Sequence, residues 1–167
     1  LTSYDSLTAS LFDESGIPVL LVGDSAANLV FGYDSTVPIT VEEMLPIVKA
    51  VARSTTKAMV VADMPFGSYQ TSTSIALESA TKFLKAGAQA VKLEGGQRVA
   101  ETVSRLVESG IPVMGHIGLT PQSVNVFGGY KVQGRGEQAQ SLLQDAKSLE
   151  NSGAFAIVLE AIPSELA

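Results

Sequence analysis

Short runs of large apolar residues, each broken at its C-terminal end by a polar one, recur along the chain. Val19-Leu20-Leu21-Val22 gives way to Gly23-Asp24-Ser25, Met59-Val60-Val61-Ala62 to Asp63, and Ala90-Val91-Lys92-Leu93 to Glu94. Val113-Met114-Gly115 leads into His116, and Ala156-Ile157-Val158-Leu159 into Glu160. Continuous apolar runs of this length read as strands covered on both faces, the habit of parallel sheets. With a shorter run at the start, strands are expected at 1–4, 19–22, 58–63, 90–94, 112–116 and 155–160. The intervening spacing predicts helices over 6–15, from Thr40 to 53, over 72–85, 98–109 and 137–151, and a last one opening at Ser164. Leu7, Leu11 and Phe12 fall on one side of the first helix and are its expected apolar face. Thr40 and Glu43 have the spacing of a capping box. Gly16, Gly87, Gly110 and Gly153 stand where glycine stops a helix in the left-handed conformation. One such junction, Glu14-Ser15-Gly16-Ile17-Pro18-Val19, returns as Glu108-Ser109-Gly110-Ile111-Pro112-Val113.

Strict alternation of strand and helix calls for a parallel sheet with right-handed crossovers. Delivery of every ionisable group at the same strand end favours a (β/α) barrel over an open sheet, because such barrels gather their chemistry there. A complete eight-stranded barrel takes roughly 250 residues, and this chain has 167. The expectation is therefore a single barrel domain over 1–167 covering about six βα units. It lacks the last two units and an N-terminal lead-in, since open apolar edges are a liability in water. A six-stranded doubly wound sheet is the alternative.

Composition narrows the class. Apolar residues make up 46% and charged ones 17%, which suits a sheet buried on both sides, and no apolar run approaches the ~20 residues of a membrane span. With no cysteine there is neither a disulfide framework nor a thiolate metal site, as expected of a cytoplasmic protein. The net charge is −6 without any Lys/Arg cluster, which argues against nucleic acid as a partner.

Asp24, Asp63 and Glu94 are hard oxygen donors from successive strand ends, the kind of set that suits Mg²⁺ with water and substrate in the other positions. Each alone reads better as a carboxylate at the start of the following helix; it is the three together, each ending an apolar run, that point to a metal. Lys92 and Glu94 leave their strand from the same face, and a lysine there needs a carboxylate or an anionic substrate beside it. Glu160 has the position of a general base, or of a salt-bridged glutamate. His116, the single histidine, reads as a substrate-positioning residue or as a hydrogen-bonded structural one. The glycine-dense loop over 118–136 has the length of a functional lid. Its Tyr130, Lys131 and Arg135 suit an anionic or planar ligand, and its glycine spacing is neither that of a Walker loop nor that of a Rossmann loop.

Several stretches together resemble the ketopantoate (3-methyl-2-oxobutanoate) hydroxymethyltransferase family. They are Thr2-Ser3-Tyr4-Asp5, Leu21-Val22-Gly23-Asp24-Ser25, Ala62-Asp63-Met64-Pro65-Phe66 and Val91-Lys92-Leu93-Glu94-Gly95-Gly96. Gly115-His116-Ile117-Gly118-Leu119-Thr120-Pro121-Gln122-Ser123, the segment 127–136, and Val158-Leu159-Glu160 with Pro163 complete the set. The resemblance implies a (β/α)8 TIM barrel of the phosphoenolpyruvate mutase/isocitrate lyase type and a cytoplasmic homodecamer of pantothenate and coenzyme A biosynthesis. It implies transfer of a hydroxymethyl group from 5,10-methylenetetrahydrofolate to 3-methyl-2-oxobutanoate, giving 2-dehydropantoate (ketopantoate). By position, Asp24, Asp63 and Glu94 match the Mg²⁺ site, with Glu94 acting through water. Asp24, Ser25, Asp63, Lys92 and His116 match residues that line the oxoacid, and Glu160 matches the base that enolises it. The alternatives are a related Mg²⁺-dependent oxoacid lyase or mutase, and a non-catalytic barrel fragment.

Overall fold

A computed structural model describes residues 1–129 and 131–167, with the backbone alone for Phe127. The chain forms two compact units, Leu1–Lys92 and Leu93–Ala167.

The first unit holds strands β1 (Val19–Val22) and β2 (Met59–Asp63) and most of β3 (Ala90–Glu94), with helices α1 (Ser6–Glu14), α2 (Ala26–Leu29), α3 (Val41–Arg53) and α4 (Thr73–Ala86). β1 pairs with β2 and β2 with β3, both in parallel. Leu20, Val22, Val60, Val61, Ala62 and Val91 are wholly buried, as their unbroken apolar runs require. α3 buries Val41, Met44, Val48 and Val51, one helical face, and its first turn carries the full Thr40–Glu43 capping box. α4 starts at the Ser72 cap and stops at Gly87, whose φ of +112° only glycine holds without strain.

Two expectations for this unit are corrected. Residues 1–4 are not a strand: they meet β1 through one parallel bridge, Thr2 to Leu21, flanked by two backbone hydrogen bonds. Nor do Leu7 and Leu11 face inward, being 79% and 59% exposed, while α1 buries Ala9 and Asp13 instead. Periodicity finds an apolar stripe without saying what covers it. A small alanine lets the helix lie close to its support, and Asp13 is drawn in by donors from across the unit. Its Oδ2 accepts from the amide and the hydroxyl of Thr56, and its Oδ1 from the amides of Lys57 and Ala58, at 2.7–3.0 Å. One carboxylate thus satisfies the backbone donors that lead into β2, which would be costly to bury bare.

The second unit takes the end of β3, then α5 (Ala100–Glu108), β4 (Val113–Gly118), α6 (Val124–Phe127), α7 (Gln138–Asn151) and β5 (Ala156–Glu160). β4 pairs with β5 in parallel, Gly118 opposite Glu160. β4 runs two residues beyond the expected end, because Ile117 and Gly118 continue the ladder. The loop over 118–136 contains a 3₁₀ turn (Pro121–Ser123) as well as α6, and its Tyr130 lies outside the described residues. A turn, not a helix, follows Ser164. β5 remains half-exposed along its length, with Leu159 at 44%.

Gly118 fixes the end of β4. Its φ is +91°, and an added Cβ would sit 2.2 Å from the carbonyl oxygen of Glu160. Gly118→Ala is expected to cost on the order of 1–3 kcal/mol from the backbone conformation alone, with more from the overlap. A urea melt in which the variant matches the parent would contradict this.

Candidate active site

In the first unit the strand register builds the site. Asp63, the last residue of β2, stands opposite Lys92 of β3, so neighbouring parallel strands present the two side chains together. Lys92 Nζ lies 2.5 Å from Asp63 Oδ1, with both side chains almost entirely buried. The other oxygen, Oδ2, accepts from the backbone N–H of Asp24 at 3.1 Å. Asp24 follows β1 and is itself buried. A buried ion pair is a weak source of stability. What this one provides is a fixed cation beside two carboxylates.

Ser25 starts α2 without capping it through its side chain. Its hydroxyl pairs instead with the Tyr4 phenol at 2.7 Å. Burial pushes the Tyr4 phenol up from its ordinary range; the Ser25 hydrogen bond opposes this, and the nearby charges of Asp24 and Asp63 add to it. Tyr4 is therefore a neutral hydrogen-bonding group at pH 7. Residue spacing marks nothing special about Tyr4. Its role depends on residues 1–4 lying along β1.

The second unit brings together the other sequence-derived candidates. Glu94, at the end of β3, has Oε1 3.5 Å from His116 Nδ1, and His116 Nε2 lies 3.3 Å from Glu160 Oε2. Glu94 and His116 are buried, whereas the Glu160 side chain is 42% exposed and open to a ligand. A neutral imidazole can donate to only one of these carboxylates, an imidazolium to both. The row is held by the backbone: Gly95 N–H donates to the His116 carbonyl, and Gln122 N–H donates to Glu94 Oε2 at 3.0 Å. Gln122 escaped the sequence reading. Pro121 signals the 3₁₀ turn that positions its amide, but nothing local names the carboxylate it meets. Lys131 and Arg135 are exposed.

Of the three carboxylates expected to share a metal, Asp24 and Asp63 belong to the first unit and Glu94 to the second. Among the described residues no group of three or more His, Asp or Glu side chains forms a ready metal cage. Two buried hard-oxygen donors, Asp24 and Asp63, are still a fitting set for Mg²⁺, which binds through one or two carboxylates and keeps several waters. No helix among the described residues is long and apolar enough to cross a membrane.

Parallel strands alternating with helices, with acidic groups at or near the strand ends, define the class: a (β/α) fold, shared with solved enzymes of the phosphoenolpyruvate mutase/isocitrate lyase superfamily. Phosphonopyruvate hydrolase, solved in complex with oxalate and Mg²⁺, superposes with a TM-score of 0.72 at 14% identity, covering 96% of this chain and 56% of its own. The 2,3-dimethylmalate lyase of that superfamily gives 0.67 at 18% identity, over 98% and 58% of the two chains. The particular family is fixed by sequence, because the profile of ketopantoate hydroxymethyltransferase matches residues 1–167. This chain belongs to that family. The 3-methyl-2-oxobutanoate hydroxymethyltransferase of Thermobifida fusca is 64% identical over 99% of this chain and 60% of its own. That of Mycobacterium tuberculosis is 60% identical, over 100% and 60%. The chain spans about 60% of the length of these curated relatives.

Proposed function

We propose that the protein transfers a hydroxymethyl group from 5,10-methylenetetrahydrofolate to 3-methyl-2-oxobutanoate, giving 2-dehydropantoate. The observation that carries the reading is the buried Lys92–Asp63 pair beside Asp24, in a chain 60–64% identical to relatives named for this reaction. Asp24 and Asp63 would hold Mg²⁺, and the ion would supply Lewis acidity toward the keto oxygen of the oxoacid. The oxalate and Mg²⁺ bound by phosphonopyruvate hydrolase are a like combination of dicarbonyl ligand and ion.

The chain's own residues do the rest. Lys92 offsets the negative charge of the oxoacid, and Ser25, held by Tyr4, donates to it. Glu160 removes the proton from C3, and His116, touching both Glu160 and Glu94, fixes the direction of the base. The carbanion equivalent at C3 then bonds to the one-carbon unit, held within reach of it, while the bonds from that carbon to the two folate nitrogens break. Water supplies the hydroxyl oxygen, and tetrahydrofolate leaves with the protons on its nitrogens. The setting proposed is cytoplasmic, and the assembly a homo-oligomer, decameric by the family resemblance.

Incubation with 3-methyl-2-oxobutanoate and Mg²⁺ in D₂O, followed by addition of 5,10-methylenetetrahydrofolate, tests the reading. Loss of the C3 proton signal and then formation of 2-dehydropantoate are expected. Cleavage of a C–C or C–P bond in lyase and mutase substrates, with no folate-dependent product, would overturn it.

A further inference from the structure

A cavity of about 240 Å³ opens in the second unit between the residues after β3, the end of β4 and the first turns of α7. It adjoins the Glu94–His116–Glu160 row through the backbone. Gly95 follows Glu94 and bonds to the His116 carbonyl, and Gly118, also in its wall, pairs with Glu160. Leu142 supplies an apolar side, and Gln133, Gln138 and Ser141 supply polar ones. Asp145 is half-buried here. Its Oδ1 accepts from Gln97 N–H at 2.8 Å, while its other oxygen makes no hydrogen bond among the described residues. A carboxylate oxygen open to a cavity and flanked by amide side chains suits a planar ligand edge that carries two N–H donors. The volume is below the roughly 300–1,000 Å³ that encloses a whole ligand, so the cavity suits a flat head group whose remainder stays outside. The exposed guanidinium of Arg98, also in the wall, matches a ligand that carries carboxylates elsewhere.

We infer that this cavity takes the pterin ring of the folate co-substrate, with Asp145 receiving its amino and ring N–H groups. The inference rests on the function proposed above and gives the second substrate its subsite. A pterin seated here places its one-carbon unit at the strand end that carries Glu160, where the oxoacid carbon is deprotonated.

Asp145→Asn and Ser141→Phe test it. In the first variant the asparagine carbonyl would still accept from Gln97 N–H, so the local fold is kept, but its amide N–H₂ is turned toward ligand donors. In the second, the phenyl ring fills the cavity from the exposed side of α7. Both variants are expected to weaken tetrahydrofolate binding, read by calorimetry without turnover, by about tenfold or more, the loss that one missing charged hydrogen bond produces. The KM for 5,10-methylenetetrahydrofolate should rise in step, with C3 proton exchange of the oxoacid unchanged. Unaltered tetrahydrofolate affinity in both variants overturns the inference. Loss of exchange in parallel with folate affinity also overturns it, since Asp145 would then be a structural prop. A parent protein that binds tetrahydrofolate but never exchanges the oxoacid proton would instead overturn the proposed function.

Discussion

Glu160→Gln is expected to slow C3 proton exchange from 3-methyl-2-oxobutanoate by about 10²–10⁴-fold, the range a positioned general base contributes. The substitution keeps the shape of the side chain, and His116 Nε2, now 3.3 Å from Oε2, retains a polar neighbour. Binding of the oxoacid, which is assigned to Ser25, Lys92 and the carboxylates of the first unit, should change little. The effect therefore belongs in the exchange rate and not in the substrate dissociation constant. The half-exposed side chain at the end of β5 is what makes Glu160 reachable, in contrast to Glu94, which is buried and accepts the Gln122 amide. NMR exchange in D₂O with saturating Mg²⁺ reads the rate directly. An unchanged rate would remove Glu160 from the role and shift attention to another base.

Asp13→Asn is expected to give the largest loss of stability, a fall in Tm on the order of 10 °C near neutral pH. Asn can offer one oxygen where Asp13 offers two, and its N–H₂ would face the N–H and O–H donors of Thr56 or the N–H donors of Lys57 and Ala58. The same donors set the pH dependence. The Ala58 amide, with those of Lys57 and Thr56, holds the carboxyl far below its ordinary value of 3.8, against the opposing effect of burial. A group whose pKa is depressed by folding contributes stability that is fully present above its unfolded pKa. That contribution is lost as the pH falls through the folded value. The parent should therefore lose stability steadily below about pH 4, while the variant, with no charge there, shows a shallower acid limb. Thermal melts from pH 7 to pH 2 should bring the two curves together toward the acid end. A gap of constant size at every pH would contradict the assignment.

Asp13 also shows where sequence reading stops. A carboxylate in the last turn of α1 sits against the helix dipole, but Glu14 beside it does the same, so nothing local singles out Asp13. Its four hydrogen bonds come from residues 43–45 positions away, beyond what local pattern carries. The same distance explains the misplacement of Leu7 and Leu11, whose spacing identified a helix but not its buried face. The extent of residues 1–4, a single bridge, was likewise set by their neighbour β1 and not by their own residues.

The chain by itself determined its five longer helices and all strands but the first, because caps, glycine stops and apolar runs act over a few residues. Thr40 with Glu43, Gly87 and the Val19–Val22 run are of this kind. The four-residue α2 and α6 were not among the predicted elements. The chain also placed Asp63, Glu94 and Glu160 at strand ends and Asp24 just past one, while His116 proved to lie within β4, and the motifs around them named the family. Tertiary structure alone decided which of these side chains touch. The parallel register sets Lys92 against Asp63, and the burial of His116 sets it between two glutamates. Contact depends on strand pairing between segments 20 or more residues apart, and such pairing is fixed by the packing of the whole sheet and by no single stretch of chain.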